Sequence, residues 1–168
     1  LTAAGSIGHS VPFHIPLRLD GKWRWSDLSL DQQLLVLAAE KDDIVYGPTT
    51  VTVTSRETID VEATGKVWAN AYNGAIYLGS EGDINLNYAS ATGEVRIKTA
   101  GAINNGTPDG INVRGQNAVL EAAYGSIGGL HTPLLLDIGA AKVTARAGGN
   151  IYLKSQGDMR IDTIYTPG

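Results

Sequence analysis

Two groups of charged residues have types suited to glycoside hydrolysis, which needs two carboxyl groups acting as general acid and as base or nucleophile. Asp42 and Asp43 supply adjacent carboxylates, and Arg96 and Lys98 supply positive charge further along the chain. Adjacent aspartates are also typical of solvated turns. Arg96 and Lys98 alternate with apolar neighbours, as the outward-facing residues of a strand do. We therefore predict that none of the four is catalytic and that the chain is not an enzyme.

A pair of tryptophans, Trp23 and Trp25, forms the candidate ligand-binding site. Residues at i and i+2 of an extended segment project to the same side, so the two rings could form a platform that stacks on a sugar. The alternative interpretation is that both rings cover the edge of a hydrophobic core. The same two interpretations apply to Trp68 and Tyr72, for which we expect packing.

The histidines, His9, His14 and His131, lack the spacing of a metal site, and we expect His9 and His131 at corners of the fold. Two Gly-Asp dipeptides, at 82–83 and 157–158, lack the Gly-Gly-x-Gly-x-Asp pattern of calcium-binding repeats. A calcium ion bound at such a turn stays an open alternative. We assign no metal ligand and expect no cofactor.

The composition favours a β-rich chain with a core of small aliphatic residues. Its 168 residues are 43% hydrophobic and include 21 Gly, but one Phe and one Met. Charged residues make up 18% without a run of either sign, so we expect no nucleic-acid partner. No apolar run approaches the roughly 18 residues that a membrane span needs. The length suits one domain.

A repeat of about 24 residues, in the range typical of solenoids, decides the predicted architecture. Gly101-Ala102-Ile103, Gly125-Ser126-Ile127 and Gly149-Asn150-Ile151 follow one another at equal spacing. Aliphatic residues recur every eight positions between them, within short runs that alternate apolar and polar residues. Each unit of eight is therefore one short strand and a turn. Three strands per coil predict an all-β, right-handed parallel β-helix, a β-solenoid whose coils stack about 4.8 Å apart.

The eight-residue step assigns inward-facing residues to three columns of like side chains, because stacked coils align equivalent positions. The first predicted column is Ile7, Ile44, Ile76, Ile103, Ile127 and Ile151. The second is Ile84, Ile111, Leu135 and Met159. The third is Val36, Val67, Val95, Val119 and Val143.

The repeat is interrupted in the first half of the chain. Residues 29–43 suit a helix by propensity. However, Val36–Ile44 aligns without gaps to Val143–Ile151, so we predict that the solenoid register continues and that no helix forms there. The surplus residues form two predicted insertions, 19–33 and 53–64, which pack together at one corner.

The later repeats also resemble a known family. Gly125-Ser126-Ile127-Gly128, the run 133–136 and the run 143–153 resemble the repeat region of filamentous-haemagglutinin-like large exoproteins, which are secreted adhesins of Gram-negative bacteria. The resemblance covers most of the chain from about Val36, and residues 5–19. It implies a right-handed parallel β-helix, export by a partner transporter or related route, and a rod at the cell surface. The amino-terminal secretion domain of that family is not recognisable.

We therefore predict that residues 1–168 are a single β-helix segment of a larger secreted or surface-exposed bacterial adhesin. Its expected partners are the neighbouring coils of the parent chain and a host-cell or surface receptor, either a glycan or a protein. Residues 1–8 match an internal repeat and neither end offers a capping element, so we expect the ends to be cuts through a longer β-helix.

Two alternative functions remain. The first is a carbohydrate-binding module that uses the insertion corner with Trp23 and Trp25. The second is a remnant of a polysaccharide-active β-helix enzyme. Pectin hydrolases of this fold use paired aspartates, a Gly-His-Gly and an Arg-x-Lys in that order. Asp42-Asp43 and Arg96-Ile97-Lys98 resemble the first and the last of these motifs, but no Gly-His-Gly lies between them.

Overall fold

The computed structural model describes residues 1–167, apart from the side chain of Asp42, and divides the chain into two compact units. One unit consists of Leu1–Gly8 and the chain from Thr58 onward; the other is His9–Glu57. The strands in chain order are β1 (Thr2–Ala3), β2 (His9–Pro16), β3 (Ile44–Tyr46), β4 (Thr50–Glu57), β5 (Ile59–Asp60), β6 (Lys66–Ala71), β7 (Ile76–Ser80), β8 (Ile84–Ala91), β9 (Glu94–Thr99), β10 (Ile103–Asn105), β11 (Val113–Arg114), β12 (Asn117–Ala122), β13 (Leu134–Asp137), β14 (Lys142–Ala147), β15 (Leu153–Ser155) and β16 (Arg160–Tyr165). The helix α1 is Leu30–Ala38, and short 3-10 helices span Trp25–Asp27 and Lys41–Asp43.

The first unit is a parallel β-solenoid of about five turns, which confirms the predicted fold class. Two parallel sheets run through it. Sheet 1 has the order β1-β6-β8-β11-β13-β15, with β10 also paired to β8. Sheet 2 has the order β16-β14-β12-β9-β7-β5. The third side predicted for each coil is reduced, in the later coils, to isolated bridges such as Ile103 to Ile127.

The isoleucine column is confirmed where the spacing is constant. Ile103 pairs with Ile127 and Ile127 with Ile151, at the equal steps that the repeat predicts. Ile103 and Ile127 are fully buried. The residue before them in the column is Ile84, which pairs with Ile103 across a shorter step. The first predicted column is therefore wrong at the step from Ile76 to Ile103, because the earlier coil is shorter and Ile76 pairs with Val95 instead.

The predicted valine column is wrong by one residue at its centre. Ala118, and not Val119, pairs with both Val95 and Val143 and packs in the core. The step before Ala118 is one residue shorter than the predicted period and the step after it one residue longer, so a fixed eight-residue count misplaces the middle member. Because side chains alternate between the faces of a strand, this slip puts Val119 on the outer face, next to Arg96.

The second predicted column is misplaced as well. Val113 pairs with Leu136, and both are fully buried, whereas Ile111 and Leu135 were expected there. In the earlier coils, Val67 pairs with Leu86 in sheet 1. The core of the solenoid nevertheless has the predicted composition of small aliphatic side chains. Its buried members are Ile7, Val67, Ala69, Ala71, Ile76, Leu78, Ile84, Leu86, Ala89, Ala91, Val95, Ile97, Ile103, Val113, Ala118, Leu120, Ala122, Ile127, Leu134, Leu136, Ile138, Val143, Ala145 and Ala147.

The second unit contains an antiparallel sheet of order β2-β4-β3 and the helix α1. The predicted absence of a helix is wrong. Ser29 forms a capping box with Gln32, in which each side chain accepts a hydrogen bond from the other residue's backbone N–H. Val36 and Ile44 consequently belong to this unit and not to the solenoid columns. Buried Ile15, Leu28, Val51 and Val53 form a separate core.

The two predicted insertions are replaced by one continuous segment, His9–Glu57. Ile7 forms a parallel bridge with Ile76. If the residues of that segment are not counted, the chain from Ile7 to Ile76 has the length of one coil. Residues 1–8 therefore belong to the solenoid, as their repeat predicted, but they lie next to the coil of Ile76.

Candidate functional site

A groove along sheet 2 of the solenoid has a volume of about 560 Å³. We call it the axial groove because it crosses β5, β7, β9, β12, β14 and β16 in turn. Its lining residues are Thr58, Asp60, Gly79, Ser80, Glu81, Lys98, Thr99, Ala100, Glu121, Ala122, Ala123, Arg146, Ala147, Gly148, Tyr165 and Pro167.

One outward-facing residue from each strand forms a ladder through the axial groove. Direct pairing in parallel register places equivalent positions of consecutive coils side by side. In order along the sheet, the ladder is Asp60, Gly79, Lys98, Glu121, Arg146 and Tyr165. The groove thus presents a different side-chain chemistry at each coil.

Three charged members of the ladder bind one another. The Lys98 ammonium lies 2.8 Å from one carboxylate oxygen of Glu121, and the Arg146 guanidinium donates to the other at 2.7 Å. All three side chains are partly exposed. They connect β9, β12 and β14, so they stabilise the stacking of three coils while their outer atoms remain accessible from the groove.

Small residues form the floor of the axial groove. Thr99, Ala122 and Ala147 are buried at the ends of their strands. A Cβ atom at Gly79 would lie 2.6 Å from Asp60 Oδ1 and 2.6 Å from Thr58 Oγ1. Glycine at this position therefore lets the polar side chains of Thr58 and Asp60 lie directly against the floor.

A buried amide network lies elsewhere in the solenoid. Asn112 is fully buried, and its Nδ2 donates to the backbone carbonyl of Leu86 at 3.0 Å and to Asn105 Oδ1 at 2.9 Å. Its Oδ1 accepts from the backbone N–H of Leu135 at 2.9 Å. Asn105 in turn donates to the Pro133 carbonyl at 2.7 Å. This network satisfies polar groups of three coils internally, so it is structural.

The two rings of the predicted tryptophan site are tilted relative to each other and do not form a flat stacking platform. The ring centroids of Trp23 and Trp25 lie 6.3 Å apart with an interplanar angle of 39°. Trp23 packs against the core of the second unit, whereas Trp25 begins a 3-10 helix and is 41% exposed. Trp68 and Tyr72, for which packing was expected, are exposed on the solenoid. The binding role of the tryptophan pair stays a prediction.

The charged groups first considered for catalysis have structural partners. Asp43 is 2% exposed and forms an ion pair with Arg56 at 2.9 Å, so the predicted solvated turn is wrong for this residue. Arg96 and Lys98 lie on the outer face of β9, as predicted. Arg96 is nevertheless 2% exposed and forms an ion pair with Glu94 at 3.0 Å. Burial is tolerated because the charge is paired.

The histidines are distributed over different elements. His9 and His14 lie in β2, so the corner expected for His9 is wrong, while His131 lies in a turn before β13. His14 Nδ1 is 3.0 Å from Thr52 Oγ1. Among residues 1–167, no group of three or more His, Asp or Glu is arranged to hold a metal ion. No helix in the described part of the chain is long and apolar enough to cross a membrane.

Sequence reasoning missed the axial groove, although it identified Lys98 as an outward residue. The signal was the recurrence of Lys98, Glu121 and Arg146 at intervals one residue shorter and then one residue longer than the predicted period, which a strict repeat does not align. Comparison of the chain with protein-family models, curated proteins and solved structures finds no match. The resemblance to large adhesins therefore stays a prediction.

Proposed function

We propose that the chain is a rod segment of a large secreted or surface-exposed bacterial adhesin. The observation that supports this function is the way charged side chains on both sheets connect consecutive coils. Lys98 and Arg146 share Glu121 on sheet 2, and Arg114 donates to Asp137 at 2.9 Å on sheet 1. The outer charges thereby reinforce the stack along its axis.

These ion pairs act together with the aliphatic columns. A partly exposed ion pair contributes about 0–1 kcal/mol, so most of the free energy of stacking comes from burial of the columns. In a solenoid each coil contacts its neighbours alone, and stability is a sum over repeated interfaces. Such a fold can be extended by adding coils, which is the property a long surface rod requires.

The resemblance of residues 125–153 to large exoproteins supplies the adhesive and extracellular part of the proposal. The experiment is to label intact and permeabilised cells of the producing bacterium with antibodies against this chain. We expect intact cells to be labelled, and beads coated with the chain to adhere to cultured host cells. Labelling confined to permeabilised cells would contradict surface display, and beads that adhere no better than albumin-coated beads would contradict adhesion.

A further inference from the structure

The axial groove fits a ligand that is recognised by side chains. Its strands β7, β9, β12 and β14 are each paired on both sides within sheet 2. A peptide that binds by strand addition needs an open sheet edge, which the face of this sheet does not provide. Recognition in the groove must therefore use the hydroxyl, carboxylate, guanidinium and aromatic groups that project from the sheet.

The polar groups of the groove suit a polyhydroxylated ligand. Glu121 binds Lys98 and Arg146 through its two carboxylate oxygens, and the partly exposed Arg146 guanidinium has several donors in one plane. Thr58 and Ser80 add hydroxyl groups that both donate and accept. Neighbouring hydroxyls of a sugar can be bound by such planar groups two at a time.

The order of charges along the ladder argues against a strongly charged polymer. Asp60 and Glu81 lie at one end of the groove, and Lys98 and Arg146 lie further along on either side of Glu121. A polyanion would be repelled at the acidic end, and a polycation would be repelled by the two basic side chains. An uncharged chain avoids both penalties, and the three acidic and two basic side chains of the groove leave it only a small net charge.

An aromatic ring lies at the far end of the ladder. Tyr165 is 56% exposed and pairs in register with Arg146. An exposed tyrosine ring can stack on the apolar face of a pyranose while its hydroxyl hydrogen-bonds. Six strands at about 4.8 Å spacing give a groove roughly 24 Å long, which accommodates several sugar units.

We propose that the axial groove binds an extended, uncharged oligosaccharide, with Tyr165 stacking on one ring and the Glu121–Arg146 pair hydrogen-bonding to hydroxyl groups. This oligosaccharide would be the receptor of the adhesive rod, so its biological role rests on the proposed function. Binding to the groove can be tested separately from that function. It places glycan recognition on the solenoid, and not on the tryptophan pair of the second unit.

The test is binding of the whole chain to an array of neutral, sulfated and uronic-acid oligosaccharides of two to eight units, followed by titration with the neutral oligosaccharides that bind. We expect affinity to rise about ten-fold from dimer to hexamer, since longer chains contact more coils. Tyr165→Ala should lower the affinity about five-fold. Tyr124→Ala, at a tyrosine that is 86% exposed outside the groove, is the matched control and should leave the affinity unchanged.

A second variant tests the groove without removing a polar contact. Ala123 is an exposed lining residue, and Ala123→Trp should obstruct the groove and reduce binding at least as much as Tyr165→Ala, with an unchanged melting temperature. The proposal is overturned by any of three results: no glycan bound at millimolar concentration, tighter binding of sulfated glycans, or unaffected binding in both groove variants. Loss of binding in Trp25→Ala instead would assign recognition to the second unit. Surface labelling without glycan binding would refute glycan recognition by the groove, and the proposed function as a rod segment would remain supported.

Discussion

At the scale of single residues, the stability of the solenoid depends on positions that are buried between coils. Ile127 has a neighbour of the same type in the coil on either side, and Asn112 is bonded to backbone groups of the coils on either side. The first position excludes charge, and the second requires an amide. Both requirements follow from burial, because a polar group removed from water is stable when its hydrogen bonds are made.

Replacing Ile127 with Asp should prevent folding. The carboxyl group would lie between Ile103 and Ile151 without a partner, at a cost of several kcal/mol, which is comparable to the free energy of unfolding of a whole domain. Leu130→Asp, at a side chain that is 70% exposed, is the control and should melt like the parent. Thermal unfolding followed by circular dichroism makes the comparison. A cooperative transition at the parental temperature in Ile127→Asp would contradict the inward orientation.

Replacing Asn112 with Ala should destabilise the solenoid by about 2–4 kcal/mol, because the backbone N–H of Leu135 and the carbonyl of Leu86 lose their side-chain partner inside the protein. Asn104→Ala is the control: its amide makes one long bond, 3.3 Å, to Asn85, and we expect a loss below about 1 kcal/mol. Urea unfolding measures both changes. Equal losses would show that the Asn112 network has no special role.

At the scale of elements, local signals and the repeat compete, and the local signals determine the structure of residues 29–38. Ser29 and Gln32 have the spacing of a capping box, and the following residues favour a helix. The gapless alignment of Val36–Ile44 with Val143–Ile151 compared residue types alone, and it carried no information on hydrogen bonding. The helix could therefore have been predicted from the sequence if capping had been weighed against periodicity.

Replacing Ser29 with Ala should destabilise α1 by about 1 kcal/mol, because the amide of Gln32 loses its acceptor and one half of the capping box is removed. The measurement is amide hydrogen exchange, in which α1 should exchange about five-fold faster. The strands of the solenoid should keep their rates. Ser10→Ala, at an exposed position of β2, is the control. Unchanged exchange of α1 in Ser29→Ala would refute the stabilising role of the cap.

At the scale of the whole molecule, the sequence predicted a region correctly where the spacing of the repeat is constant. Ile103, Ile127 and Ile151 were placed correctly because their steps are equal. Val119 was misplaced because a shorter step and a longer step, on either side of Ala118, average to the predicted period. The axial groove depends on this cross-coil register, so periodicity alone did not predict it. The His9–Glu57 unit interrupts the repeat.

The last prediction concerns that unit. His9 pairs with Glu57 in the antiparallel sheet, so the residues that flank the segment, Gly8 and Thr58, are each one residue from a paired position. Replacing the whole segment with Asn-Gly, which favours a two-residue turn, should therefore reconnect the solenoid without moving its strands. The two hydrophobic cores are separate clusters, so the solenoid keeps every member of its own core.

We expect the shortened chain to retain a cooperative thermal transition and a β-sheet circular dichroism spectrum, because an inserted unit with its own core can be removed at closely spaced ends. The isolated segment His9–Glu57 is near the lower size limit for independent folding and should be marginally stable. As a matched control, excising residues 103–126 removes one full step of the isoleucine column and should shorten the solenoid while preserving its register. If this coil deletion folds and the shortened chain does not, the solenoid requires the inserted unit, and the two units are one cooperative structure.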